Sequence, residues 1–197
     1  MNHIENKLTK LEAEVHALYE AKDPNRDEWS DWLADHHVFV VADFASELSA
    51  RYGAEEKLAR AAALLHDIAD AKTSRFDPEH EEMSLSIARE LLTKNGYSDD
   101  EVELLVEDAI RYHSCFDGHA PESLEGKILS TADSLAHLKT DFYIYAVYAR
   151  AKRDSLADIK DWALKKLERD FYAKIHFDDV REKVRGDYEA LKMLFSR

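Results

Sequence analysis

The chain has 197 residues, 45% hydrophobic and 35% charged, with a formal charge of −14 and one cysteine. A carboxylate surplus of that size argues against a nonspecific nucleic-acid binder, which needs clustered Lys and Arg to neutralise phosphates, and a lone thiol rules out an intrachain disulfide. Five glycines and three prolines supply too few tight turns for a sandwich or barrel, so the expected class is all-α, as one domain over residues 1–197. No apolar run approaches the roughly 18 residues of a membrane span, and Met1-Asn2-His3-Ile4-Glu5 lacks the basic and apolar regions of a signal peptide. The expected location is therefore cytoplasmic, with no membrane partner.

In chain order, residues 3–22 predict an amphipathic lead-in helix with Ile4, Leu8, Leu11, Val15 and Leu18 on one face, stopping before Pro24. From 28 to 52 the set Leu33, Val40, Val41, Phe44 and Leu48 keeps helical spacing, His37 shares that face, and Gly53 suits the C-cap. A third helix over 54–70 runs through Leu58, Ala62 and Leu65 and carries His66, Asp67 and Asp70 at its C-terminal end. The stretch from Lys72 to Pro78, which includes Arg75, reads as a loop. Pro78 opens the next helix, through Met83, Ile87 and Leu91 to the stop at Asn95-Gly96, with His80 in its first turn. Ser98 and Glu101 form a capping box ahead of Val102, Leu105, Val106, Ala109 and Ile110, and His113 extends that face. After a polar loop with Gly118 and Pro121, residues 123–150 predict one helix with Ile128, Leu129, Ala132 and Leu135 buried and Asp133 in its middle. Two further helices, 154–175 and 178–196, carry Trp162, Leu167 and Phe171, then Val184, Tyr188, Leu191 and Leu194. They show no chemistry and predict packing on the core or on a homodimer partner. No repeat, P-loop or dinucleotide fingerprint is present.

The charge is uneven: residues 150–197 hold 13 basic and 10 acidic side chains of the chain's 27 and 41, so the first 149 hold 14 and 31. The acidic part is the part that holds the ligand-type residues. His66-Asp67 closes the apolar stretch Ala61–Leu65 and adjoins Asp70, with His37 before it and His80, His113 and Asp133 after it. That order of His, His-Asp, His, His and Asp resembles the HD-domain superfamily of metal-dependent phosphohydrolases. His37 with Val41, Ala42 and Ala45 looks like the family's first histidine helix, and Ala62-Ala63-Leu64-Leu65-His66-Asp67 like its central motif. Ile68-Ala69-Asp70-Ala71-Lys72, His113-Ser114, Pro121-Glu122-Ser123-Leu124-Glu125, Lys127-Ile128 and Ala132-Asp133 are similar to segments of single-domain bacterial HD hydrolases, some of which are nucleotide pyrophosphohydrolases. The resemblance covers about residues 30–135 and implies a helical bundle with extra N- and C-terminal helices. It fails after Asp133, where Ser134-Leu135-Ala136-His137 and Phe142-Tyr143-Ile144-Tyr145 replace an Asp-Ala and Gly-rich stretch, and the HD-GYP signature is absent.

Each of the ten histidines, taken singly, is more often a surface or core residue than a ligand; the ordered set reverses those odds. His37, His66, Asp67 and Asp133 are the expected ligands of a divalent ion (Mn, Co, Mg, Fe or Zn), because imidazole and carboxylate without thiolate point to a catalytic rather than a structural site. His80 and His113 either hold a second ion or donate hydrogen bonds to phosphate. Asp70, one turn past Asp67, is the candidate general base or acid; its bland reading is a surface carboxylate. Lys72 and Arg75 are candidate phosphate contacts, with solvation the default for Arg75. His36 is expected beside the site or on the surface, and His3, His16, His119, His137 and His176 are read as structural or solvated. The expected function is hydrolysis of a phosphoester or phosphoanhydride in a nucleotide or related small metabolite. The alternatives are an HD-fold di-iron oxygenase and a non-catalytic metal- or nucleotide-binding module.

Overall fold

Every regular element among the described residues is helical. The structure, a computed structural model, describes residues 3–197 with side chains from residue 7, so the side chains of His3 and Ile4 lie outside the described residues. Ten helices follow one another among the described residues: α1 (His3–Glu20), α2 (30–52), α3 (Glu56–Leu65), α4 (His80–Lys94), α5 (99–110), α6 (Leu124–Lys139), α7 (Phe142–Arg150), α8 (156–174), α9 (Asp178–Lys183) and α10 (Arg185–Phe195). None is long and apolar enough to cross a membrane.

The centre is α6, buried almost continuously from Ile128 to Leu138. Helices α2 and α3 pack on it from one side and the end of α8 from another, while α1 covers α3. The alanines of α3 (Ala59, Ala61, Ala62 and Ala63, all fully buried) let three backbones approach closely, and full burial of Leu64 and Leu65 beside them contributes roughly 1.5–3 kcal/mol each. Local signals set the ends. Gly53 closes α2 at φ 79, a conformation that favours glycine. The Ser98 hydroxyl accepts from Glu101 N at 3.2 Å while Glu101 accepts from Ser98 N at 2.6 Å. Gly126 admits no side chain, because a Cβ there would sit 2.5 Å from that of Pro121.

Three expected helices end differently. Residues 123–150 form two helices because Thr140 turns extended (φ −114, ψ −172). Its hydroxyl donates to Ala136 O at 2.7 Å and accepts from Phe142 N at 3.2 Å, which ends α6 and starts α7 without Gly or Pro. Val184 (φ −102, ψ 9) divides α9 from α10 by its backbone alone, with no side-chain cap. The helix expected over 54–70 stops at Leu65; Asp67 leaves helical geometry (φ −121, ψ 27) and a tight 3-10 turn, Ile68–Ala71, follows.

α8 docks through polar groups. The Thr131 and Ser134 hydroxyls of α6 donate to Lys174 O at 3.3 Å and Asp170 O at 2.6 Å, carbonyls of the π turn that ends α8. His176, just beyond, is pushed down to about 4 by burial and then by the nearby Lys127, Arg181 and Lys174 charges. The unfolded chain protonates it near 6.5, whereas the folded chain keeps it neutral until about 4, so stability is lost as pH falls through that window. The melting temperature is expected to drop between pH 7 and pH 4.5, and to drop less in His176→Asn; equal drops would contradict this.

Candidate metal centre and cleft

Three π turns surround the site: Ala34–Val38 in α2, Leu104–Ile110 in α5 and Asp170–Lys174 in α8. Such widened turns recur at functional positions because they shift the phase of the side chains. In α2 the wide turn keeps Leu33, His37, Val41 and Ala45 inward and leaves His36 exposed, stacked on Trp32 at 5.4 Å. His66 follows the last turn of α3, and its Nδ1 donates to Ala63 O at 2.7 Å. His113 does the same to Ile110 O at 2.6 Å. Both bonds assign the proton to Nδ1 and turn the Nε2 lone pair inward. Asp133 reaches the same point from the middle of α6.

His37 Nε2 lies 3.3 Å from His66 Nε2 and 3.2 Å from Asp133 Oδ1. His66 Nε2 lies 3.4 Å from Asp67 Oδ2 and 3.9 Å from Asp133 Oδ1. Donors each about 2.1 Å from one ion are separated by about 3.0–3.4 Å in octahedral or tetrahedral geometry, and His37, His66 and Asp133, whose donor atoms all lie within 4.8 Å of one another, come near enough to that spacing to hold a cation. Asp133 Oδ1 and His37 Nδ1 are buried without a hydrogen bond, and an orphaned carboxylate oxygen among imidazoles is what a cation would satisfy. His66, Asp67 and His113 form a second group whose donor atoms all lie within 4.8 Å of one another.

Protonation states agree with ligation. Burial pushes the His113 imidazole down to about 4, helped by His66 and Lys174, and burial also lowers His37 against the pull of Asp133. Burial would raise the Asp67 carboxyl, but Arg75 and then the imidazoles of His66 and His113 hold it far below the usual range. Asp133 is likewise held down against burial by His137 and Lys174. Neutral imidazole and ionised carboxylate are the metal-binding forms.

The protein-family model for the HD domain matches residues 34–138, more than half of the chain. The chain belongs to the HD-domain family. Members of this family are mostly metal-dependent hydrolases, and the matched segment holds His37, His66, Asp67, His80, His113 and Asp133. A ribonuclease Y from Campylobacter hominis is 35% identical over 101 residues, which span 51% of this chain and 17% of that protein. No solved structure matches.

Around the HD dyad, the structure moves two of the expected roles. Asp70 is fully buried and does not line the cleft. Its carboxylate receives Arg75 Nη2 at 2.6 Å and Arg75 Nε at 3.1 Å, and lies 3.1 Å from His80 Nε2. The tight turn after Asp67 swings Asp70 away from where an α-helical turn would put it, so it anchors Arg75 instead of facing a water as a base. His80 is part of that anchor and stands apart from both groups of metal donors. Arg75 bridges Asp67 and Asp70, with its guanidinium 5.6 Å from the Trp29 ring, and its backbone N–H donates to Asp27 at 2.9 Å. Arg75 lines the cleft, whereas Lys72 is exposed and does not.

The HD match ends before α7 and α8, yet those helices complete the site. His137, expected to be structural or solvated, is wedged between Asp133 Oδ1 and Asp170 Oδ2, 3.1 Å from each, and burial pushes it down to about 3. Lys174 is 2% exposed and its ammonium pairs with Asp133 Oδ2. Asp170, fully buried, accepts from the Tyr143 hydroxyl at 2.8 Å and from Lys166 Nζ at 3.2 Å. The i, i+4 series Lys166, Asp170, Lys174 was the available sequence signal for this network. It reads equally well as a solvated helix face, so pattern alone did not single it out. Above the donors opens a cleft of about 500 Å³ lined by Arg75, Arg150, Lys166, Arg169 and Lys174 among its cations and by Trp29, Phe142, Tyr145 and Trp162 among its aromatics.

Proposed function

We propose that this HD-domain chain is a cytoplasmic, metal-dependent phosphohydrolase acting on a nucleotide or a related small phosphorylated metabolite. The observation that carries the reading is the cleft: a cationic, aromatic-walled hollow in a protein of charge −14, opening directly onto the His/Asp donor set. His37, His66, Asp67 and Asp133 would hold a divalent ion, which when bound would supply a water of lowered pKa and a positive field for the phosphoryl oxygens. The chain's own cations then act on the substrate. Arg75 is anchored by Asp70 with part of its guanidinium turned to the cleft, a geometry suited to phosphate oxygens. Lys174 fixes the Asp133 carboxylate with one oxygen left for the ion.

Aromatic faces suit a base. Tyr145 is backed by Trp32 at 4.6 Å with rings 5° from parallel, and the Trp29 indole N–H is buried without a partner, available to an acceptor on a ligand. The name of the ribonuclease Y relative indicates an RNA substrate for that protein. Here the cleft has the volume of small-molecule sites, about 300–1,000 Å³, and the surface charge disfavours a polymer, which supports a small substrate. The test is phosphate and pyrophosphate release from nucleotides and phosphomonoesters with Mn²⁺, Co²⁺ or Mg²⁺. Metal-dependent release from at least one nucleotide is expected; no release with any metal, despite stoichiometric bound ion, contradicts the reading.

A further inference from the structure

Most cleft cations already have a carboxylate partner. Arg75 is held by Asp67 and Asp70, Lys174 by Asp133, Lys166 by Asp170, Arg150 by Asp154 and Lys152 by Glu28. Arg169 differs. Among the described residues it has no ion pair and no side-chain hydrogen bond, its Nε is buried and unsatisfied, and its guanidinium rests 5.0 Å from the centroid of Phe116 while lining the cleft. In a chain with 41 Asp and Glu, a half-buried guanidinium without a carboxylate marks a place kept for an anion from outside. An unsatisfied buried donor is costly, more so when charged, and a bidentate oxyanion removes that cost.

Position says which anion. Lys174, at the metal donors, lies five residues after Arg169 in the same helix, about one turn on through the widened π turn, and both line the cleft. A phosphoryl group at the metal donors would leave Arg169 to the next group along a phosphate chain. We propose that Arg169 is a specificity-determining residue that binds the phosphoryl group one removed from the metal donors, so that the cleft selects ligands carrying at least two linked phosphoryl groups. It lies on α8, beyond the HD match at 34–138. The inference rests on the phosphohydrolase reading for the identity of the first phosphoryl group.

The test is calorimetric titration of the full chain, as purified, with methylenediphosphonate and with methylphosphonate, neither of which is hydrolysed. Wild type is expected to bind the diphosphonate at least tenfold more tightly. Arg169→Gln should lose that preference while keeping its methylphosphonate affinity within about threefold, and Arg169→Lys should recover part of it. Circular dichroism confirms that both variants are folded. No preference in wild type, unchanged diphosphonate affinity in Arg169→Gln, or an equal loss for both probes would each overturn the proposal. Turnover of nucleotides is measured separately, so a binding preference without hydrolysis would sink the phosphohydrolase reading and leave the anion subsite standing.

Discussion

Asp67→Ala is expected to abolish stoichiometric metal binding and to lower turnover on the order of 10³-fold or more, the scale set by losing a metal-activated water. Asp67 Oδ2 is 3.4 Å from His66 Nε2, and Asp67 belongs with His66 and His113 to the second donor group, which shares His66 with the first. The fold should survive. Arg75 retains Asp70 at 2.6 Å, so the guanidinium stays paired and the loss of stability should stay within roughly 1–2 kcal/mol. His176→Ala is the control: its ring lies 3.8 Å from Cys115 Sγ, away from the donors, and it should change neither metal content nor turnover. Metal analysis and rate measurements on the same preparations check both, and similar behaviour of the two variants would sink the assignment.

The second large effect is on stability. Asp170 is fully buried and bonds or pairs with Lys166, Lys174, His137 and Tyr143. Burial alone would raise its carboxyl, but Lys166 and His137 hold it well below the usual range. Asp170→Ala strips the partner from Lys166 and leaves Lys174 with Asp133 alone, which should cost about 3–5 kcal/mol. Asp170→Asn keeps an acceptor for the Tyr143 hydroxyl and should cost less. Urea unfolding at neutral pH reads both, and a loss below about 1 kcal/mol for the alanine variant would contradict the hub role.

The all-α class and the HD family were legible because they rest on chain-wide signals: scarce Gly and Pro, apolar periodicity, and an ordered His/Asp series. The Gly53 stop and the Ser98–Glu101 capping box were legible because cap chemistry is local. What escaped was geometry that depends on tertiary partners. Thr140 breaks a helix by bonding Ala136 O and Phe142 N, which no propensity signals. Asp70 was placed by assuming an α-helical turn after Asp67, where the chain tightens instead. His137, Lys166 and Lys174 carry the residue types of a solvated face, yet His137 and Lys174 are buried and Lys166 half-buried, because the two ammonium groups and the two carboxylates, Asp133 and Asp170, neutralise one another. Charged residues become core residues only in combination, and a one-dimensional pattern does not contain that combination.

The most direct test of the metal centre is anomalous diffraction from manganese-soaked crystals, collected at the manganese edge. The account predicts a peak bounded by His37 Nε2, His66 Nε2, Asp67 Oδ2 and Asp133 Oδ1. A peak that excludes Asp133, or none at those side chains in crystals that take up manganese elsewhere, would contradict it.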